Sequence, residues 1–292
     1  MSTRGRPPGS APRPTNPPDP SLTTTCPVPS HRNFRQLCFG QGTASDLPFR
    51  PLVELDNLPE ADPALSKELA YHRSLDEVRK LLEVVCDQEL DTNPDDVSCH
   101  IPTWGFWVFI TEYSPLALEK IPQAIENLVK VTERNLGLSL PAYISEAAHR
   151  FKLDVVQDKE ALEGASDDLI REEFKSLLRG LNLMDEEDCP TPMLGSTMAC
   201  LVLDKKTITM LAALQFGEED TLKDYSAFKG KSVRVIDVFW AREPTEWPDS
   251  DPNARPYRGA DECPIVFLRS LYLKLTNGSA LDEVFPLQHR CY

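Results

Sequence analysis

Long apolar runs are missing from this chain. Stretches such as Trp104 to Ile110 and Leu211 to Leu214 fall far below the roughly 18 residues that cross a bilayer, so no membrane-spanning helix is expected. Cations are scarce too: 31 Lys and Arg face 46 Asp and Glu, and the net charge of −15 repels nucleic-acid phosphate and anionic lipid. Neither nucleic acid nor membrane is an expected partner. The glycine patterns that bring backbone donors up to a phosphate, Gly-x-Gly-x-x-Gly and the P-loop, do not occur, and the densest pair, Gly40-Gln41-Gly42, falls in a linker-like stretch. No Gly-x-Ser-x-Gly elbow marks a serine hydrolase, since Gly195-Ser196 lacks the second glycine. The eight cysteines form no Cys-x-x-Cys pair, which argues against a zinc ribbon or a thioredoxin-type site. They read as thiols of a reducing compartment. The first ten residues lead into prolines and not into the apolar core of a secretory signal, so a cytoplasmic or nuclear location is expected. No cofactor and no metal is expected.

What is present divides into two materials. Residues 1–50 hold six Arg and two Asp, a local charge of +4 that leaves −19 for the remainder. Nine of the first thirty residues are Pro, which fixes φ and removes a backbone donor. The sequence therefore predicts a disordered, partly polyproline-II arm over 1–47, with Pro-x-x-Pro at Pro14 to Pro17 and at Pro17 to Pro20. Residues 48–292 are predicted to form a single folded domain, long enough to bury a full core.

Within it, Leu75, Val78, Leu81, Leu82 and Val85 recur at helical spacing behind a capping box, Ser74 with Glu77, and predict a helix over 75–89. Thr103 to Tyr113 is rich in aromatic and β-branched residues and predicts a central strand. A helix is expected to start near Ile121, with Pro122 in its first turn, and to end near Gly137. Ala147 to Gln157 alternates in period two and predicts a strand with Arg150, Lys152 and Asp154 on its wet face. Ser166 is the expected cap of a helix that ends near Gly180. Strands follow over 197–203 and 232–241, Lys206 to Phe216 is left open, and Ile265 to Leu275 fits a strand or, by its helical spacing, a helix over 265–276. Asn277-Gly278 reads as a turn. This order predicts an α+β domain of two layers, a mixed and largely antiparallel sheet packed by helices.

The candidate binding surface lies in the loop from Glu243 to Arg258 and just beyond it. Asp249 and Asp251 are spaced to share a hard cation, but the EF-hand ladder is absent, and no metal is assigned. Trp247 and Tyr257 add stacking surface, and Asp261 and Glu262 extend the acidic run. The set Trp247, Asp249, Asp251, Tyr257, Asp261 and Glu262 is read as a surface for a protein partner. Cys99-His100 and His289-Arg290-Cys291 read as ordinary residues.

Trp104-Gly105-Phe106-Trp107-Val108-Phe109, then Asp158, Leu162, Gly164-Ala165-Ser166, Arg171 and Phe174, then Cys200-Leu201-Val202-Leu203-Asp204 and Val233 to Asp237, resemble a large group of filamentous-fungal proteins without an assigned activity. The likeness spans roughly residues 75–275. It implies an intracellular α+β domain, carries over no catalytic residue, and leaves Arg171 a structural cation. Together these readings favour a non-catalytic protein-interaction or regulatory module whose oligomeric state is unknown. Two alternatives stay open: a hydrolase built from dispersed carboxylates such as Asp249, Asp251 or Glu262 with His149, and an effector-like protein exported without a signal peptide.

Overall fold

The computed structural model describes residues 35–40, 48–58, 77–90, 103–136, 139–185, 187–190, 193–216, 228–240, 259–281 and 283–284. Its centre is β2 (Trp104–Ile110), the aromatic run expected to be a strand, with all seven residues buried. On either side run β3 (Phe151–Gln157) and β4 (Ala199–Leu203), both parallel to β2. The flanks are antiparallel: β1 (Arg35–Phe39) lies on β3, β5 (Ser232–Asp237) on β4, and β6 (Ala260–Pro264) on β5. The order is β1-β3-β2-β4-β5-β6. The domain is thus α+β with a mixed sheet, and three of its five pairings are antiparallel. Arg35–Phe39 belongs to this sheet, although its proline- and arginine-rich surroundings place it in the arm by composition.

The helices are α1 (Leu52–Asp56), α2 (Glu77–Leu90), α3 (Pro115–Arg134), α4 (Pro141–Arg150), α5 (Lys159–Leu162), α6 (Asp167–Gly180), α7 (Gly195–Met198), α8 (Lys205–Ala212) and α9 (Leu268–Thr276). Helix α6 follows the sequence closely, with Ser166 Oγ accepting from the Leu169 N–H and the last helical residue at Gly180. Helix α3 starts six residues before the expected Ile121, with Pro115 in its first turn and Pro122 inside it. The bond that Pro122 cannot donate would have gone to Leu118, which is 45% exposed, so water can satisfy that carbonyl.

Three further expectations are corrected. Residues 147–150 are the last turn of α4 and not the start of a strand; the period-two burial begins at Phe151. Arg150, expected on the wet face, is 0% exposed, because Glu146 accepts from its Nε at 2.8 Å and its guanidinium lies 4.6 Å over the Phe49 ring. The predicted strand over 197–203 begins at Ala199, behind the single turn of α7. Lys205–Ala212, left open by the sequence, is helix, and Asn277 and Gly278 form the turn that closes α9.

Alternate residues of β2 serve opposite faces. Trp104 and Phe106 meet Tyr272 of α9, whereas Phe109 meets Phe174 of α6 at 5.7 Å. Helices therefore cover both faces, making three layers where the sequence predicts two, which is why β2 and β4 are buried from end to end. The Trp104 indole is placed by its Nε1–H, which donates to the Ala147 carbonyl at 2.7 Å. Among the described residues no helix is long and apolar enough to cross a membrane.

Gly105 sits at φ +138°, and a Cβ there would stand 1.8 Å from the Lys152 carbonyl oxygen. The Gly105→Ala chain is expected to lose on the order of 4 kcal/mol or more, read by urea denaturation, because backbone strain adds to a broken β2–β3 pairing. Alkali supplies a second test. Burial pushes the Tyr113 and Tyr143 phenols up to about 12 from their usual value near 10. A raised folded value gives stability that is complete below pH 10 and is lost as pH rises towards 12. The expected loss is about 1.4 kcal/mol per pH unit for each tyrosine, and Tyr113→Phe should remove one share of it.

Candidate functional site

At the carboxyl ends of β2 and β4 the chain departs in opposite directions. From β2 it passes through α3 and α4 to β3 on one side, and from β4 it passes through α8 to β5 on the other. Such a divergence between neighbouring parallel strands opens a crevice. Here it is a groove of about 1150 Å³. Ala165, Ile170, Val202, Met210 and Leu214 give it an apolar floor; Thr111, Glu112, Asp167, Asp204, Lys205, Lys206, Lys231 and Arg234 supply the polar rim.

Backbone bonds fix this rim. The Thr111 N–H donates to the Leu203 carbonyl at 3.1 Å, and the Gly164 N–H donates to the Thr111 carbonyl at 3.0 Å. Gly164 can do so because it holds φ +66°, a conformation that suits glycine. Beneath it, the Asp158 N–H donates to the Tyr113 hydroxyl at 2.9 Å, and Asp158 caps α5 through the Ala161 N–H.

The three rim carboxylates are all engaged. Asp204 Oδ1 accepts from the Thr207 N–H at 2.7 Å and caps α8. Hydrogen bonds from Ser114 hold Glu112 below the usual carboxylate range, helped by the charge of Lys205. Asp167 forms an ion pair with Arg234. Lys205, Lys206 and Lys231, by contrast, make no ion pair with a described carboxylate. Among the described residues that line the groove there is no cysteine, histidine or serine. The described lining thus offers cationic tips, an apolar floor and the hydroxyls of Thr111 and Thr209.

Of the sequence-derived surface, Trp247, Asp249, Asp251 and Tyr257 lie outside the described residues, as do Cys99-His100 and His289 to Cys291. Asp261 and Glu262 are neighbours on β6 and so point to opposite faces. Glu262 accepts from Ser232 Oγ at 2.6 Å, and Asp261 accepts from the Glu262 N–H at 2.7 Å. His149 is buried, its ring 4.8 Å from that of Phe49. Burial pushes the Cys200 thiol well above its usual range.

Arg171 has the structural role that its sequence context implies. Its Nε donates to the Asp237 carbonyl at 2.7 Å, one terminal nitrogen donates to the Gly259 carbonyl at 3.0 Å, and the other pairs with Asp168 at 2.8 Å. The guanidinium also stacks 4.8 Å from the Trp240 ring. Both ends of the 241–258 segment, Trp240 and Gly259, thus meet at one buried cation. Gly259 stands at φ +72°, where a Cβ would reach within 2.4 Å of the Trp240 indole.

Sequence reasoning passed over the groove because its walls come from four separated segments. One local signal was there: after an apolar strand and the capping Asp204, Lys205 and Lys206 open a helix, where the dipole disfavours cations.

Arg171→Ala is expected to destabilise the chain by about 3 kcal/mol, since two buried carbonyls lose their donor. Hydrogen exchange should accelerate at residues 237–240 and 259–260 while β2 stays protected. Uniform acceleration over the whole sheet would show that Arg171 is not a local staple.

Comparison of the chain with protein-family models, with curated proteins and with solved structures finds no match.

Proposed function

We propose that this protein is an intracellular, non-catalytic binding module that engages partner proteins through the groove at the carboxyl ends of β2 and β4. The observation that carries this reading is the division of labour on the rim. Every carboxylate is spent on holding the fold, while three lysines stay available around an apolar floor. Lys205 and Lys206 occupy the first turn of α8, where cations oppose the helix dipole by a few tenths of a kcal/mol each. A locally unfavourable placement of this kind is expected where a residue serves a ligand.

The hydrolase alternative finds less support. His149 precedes β3 and Glu262 lies on β6, four strand steps away in the sheet order, which is on the order of 20 Å at the usual strand spacing. One site cannot use both. The exported-effector alternative has no residue in its favour, and the buried thiols of Cys200 and Cys263 suit a reducing interior.

Amine-reactive cross-linking of the full chain in source-cell lysate, followed by mass spectrometry, tests the proposal. Partner peptides are expected on Lys205, Lys206 or Lys231 in excess over Lys130 and Lys274, which lie on α3 and α9 away from the groove. Partners linked to the reference lysines alone, or no partner at all, would overturn it.

A further inference from the structure

The chemistry of the groove is specific enough to describe its occupant. We infer that the groove binds an acidic peptide segment of a partner protein that carries apolar anchor side chains. The inference rests on the binding-module reading above and adds the nature of the ligand.

Two features select this class. The first is the sign of the rim. Among the described lining residues four cations, Lys205, Lys206, Lys231 and the Asp167-paired Arg234, face three carboxylates, a local balance of +1 in a protein whose net charge is −15. The register sets these charges on both walls. Arg234 on β5 lies across from Val202 on β4, and the two lysines of α8 begin three residues after Val202. A chain laid between α8 and β5 meets positive charge on either side, while its apolar side chains reach Ile170, Val202, Met210 and Leu214.

The second feature is what the groove withholds from a small anion. Phosphate sites at strand ends use backbone N–H groups, above all those at the start of the following helix. Here a carboxylate of the chain stands at each helix start and takes one of those donors: Asp204 takes the Thr207 N–H at α8, and Glu112 takes the Ser114 N–H at α3. The remaining positive groups are the tips of long side chains above an apolar floor. A compact phosphate would meet Asp204 or Glu112 at either helix start, and it would leave the floor wet. An extended acidic segment with leucine- or phenylalanine-like side chains satisfies both layers, and the groove of about 1150 Å³ is larger than most sites that enclose a small molecule.

Fluorescence anisotropy on the full chain tests this. The probe is a fluorescein-labelled peptide of about twelve residues alternating Glu and Leu, beside matched peptides alternating Glu and Ser and alternating Lys and Leu. The Glu/Leu peptide is expected to bind at least about tenfold more tightly than either control, and more weakly when salt rises from about 50 to about 200 mM. The K205E/K206E chain should lose at least about tenfold in affinity while its melting temperature holds or rises, because the change removes cations from the start of α8. Met210→Ala should weaken the Glu/Leu peptide and leave the Glu/Ser peptide unchanged.

Undiminished binding by K205E/K206E would overturn the inference, as would equal affinity for the Glu/Ser peptide. Displacement of the probe by inorganic pyrophosphate with no apolar contribution would make the groove a small-anion site. Self-association that K205E/K206E abolishes would make the occupant a second copy of this chain. If the peptides fail while partners still cross-link to Lys205, Lys206 or Lys231, the ligand chemistry is wrong and the binding-module reading stands. If both fail, so does that reading.

Discussion

The parallel pairing of β3, β2 and β4 constrains everything around it. Three parallel strands cannot be joined by tight turns, so each connection must cross a face of the sheet and carries helix with it. The helices bury both faces of β2, and the strand can therefore be aromatic and β-branched throughout. The same crossings make the connections of β2 and β4 diverge at their carboxyl ends. The groove is thus a by-product of the way the core closes, and Gly105 and Gly164 lie at the two ends of that arrangement. The first lets β2 approach Lys152 closely, and the second turns the chain at the rim.

Buried arginines pin the periphery to this core. Arg150 holds Glu146 and the Arg50 carbonyl and lies over the Phe49 ring, so it fastens the start of the domain to α4. Arg171 does the same for the exit of β5 and the start of β6. Each guanidinium has carbonyl, carboxylate and aromatic partners together, a set that its planar fork meets and a lysine ammonium would not. Buried cations here act as tertiary staples, donating to backbone carbonyls of chain segments distant in sequence.

Much of this was legible in the sequence wherever a single residue pattern decides a single element. The burial of β2, the Ser166 cap, the end of α6 at Gly180 and the turn at Asn277 follow from residues adjacent in the chain. Errors arose where two patterns overlap. Arg150 fits the alternation of β3 by position, yet it belongs to α4, and only its contact with Glu146 one helical turn earlier reveals that. Pro122 looked like a helix start because proline is best tolerated there, but the exposed flank of α3 accommodates it inside. The edge strands β1 and β6 have short and unremarkable sequences whose pairing is set by the neighbour. The groove was the least legible of all, since its walls meet only once β2, β4, α6 and α8 are in place.

An acidic protein with a cationic groove has an electrostatic consequence. Its overall field repels acidic partners at a distance, and at physiological salt that field decays within a Debye length of about 8 Å. Inside this distance a ligand in the groove would lie beside Lys205, Lys206, Lys231 and Arg234. Long-range repulsion with short-range attraction slows encounter and discriminates against ligands that carry charge alone, because these receive nothing from the apolar floor to offset the repulsion. On the proposed reading, a ligand that also buried apolar side chains on Ile170, Val202, Met210 and Leu214 would be retained. On that reading the arrangement would test two properties of a partner at once, and neither charge nor hydrophobicity by itself would suffice.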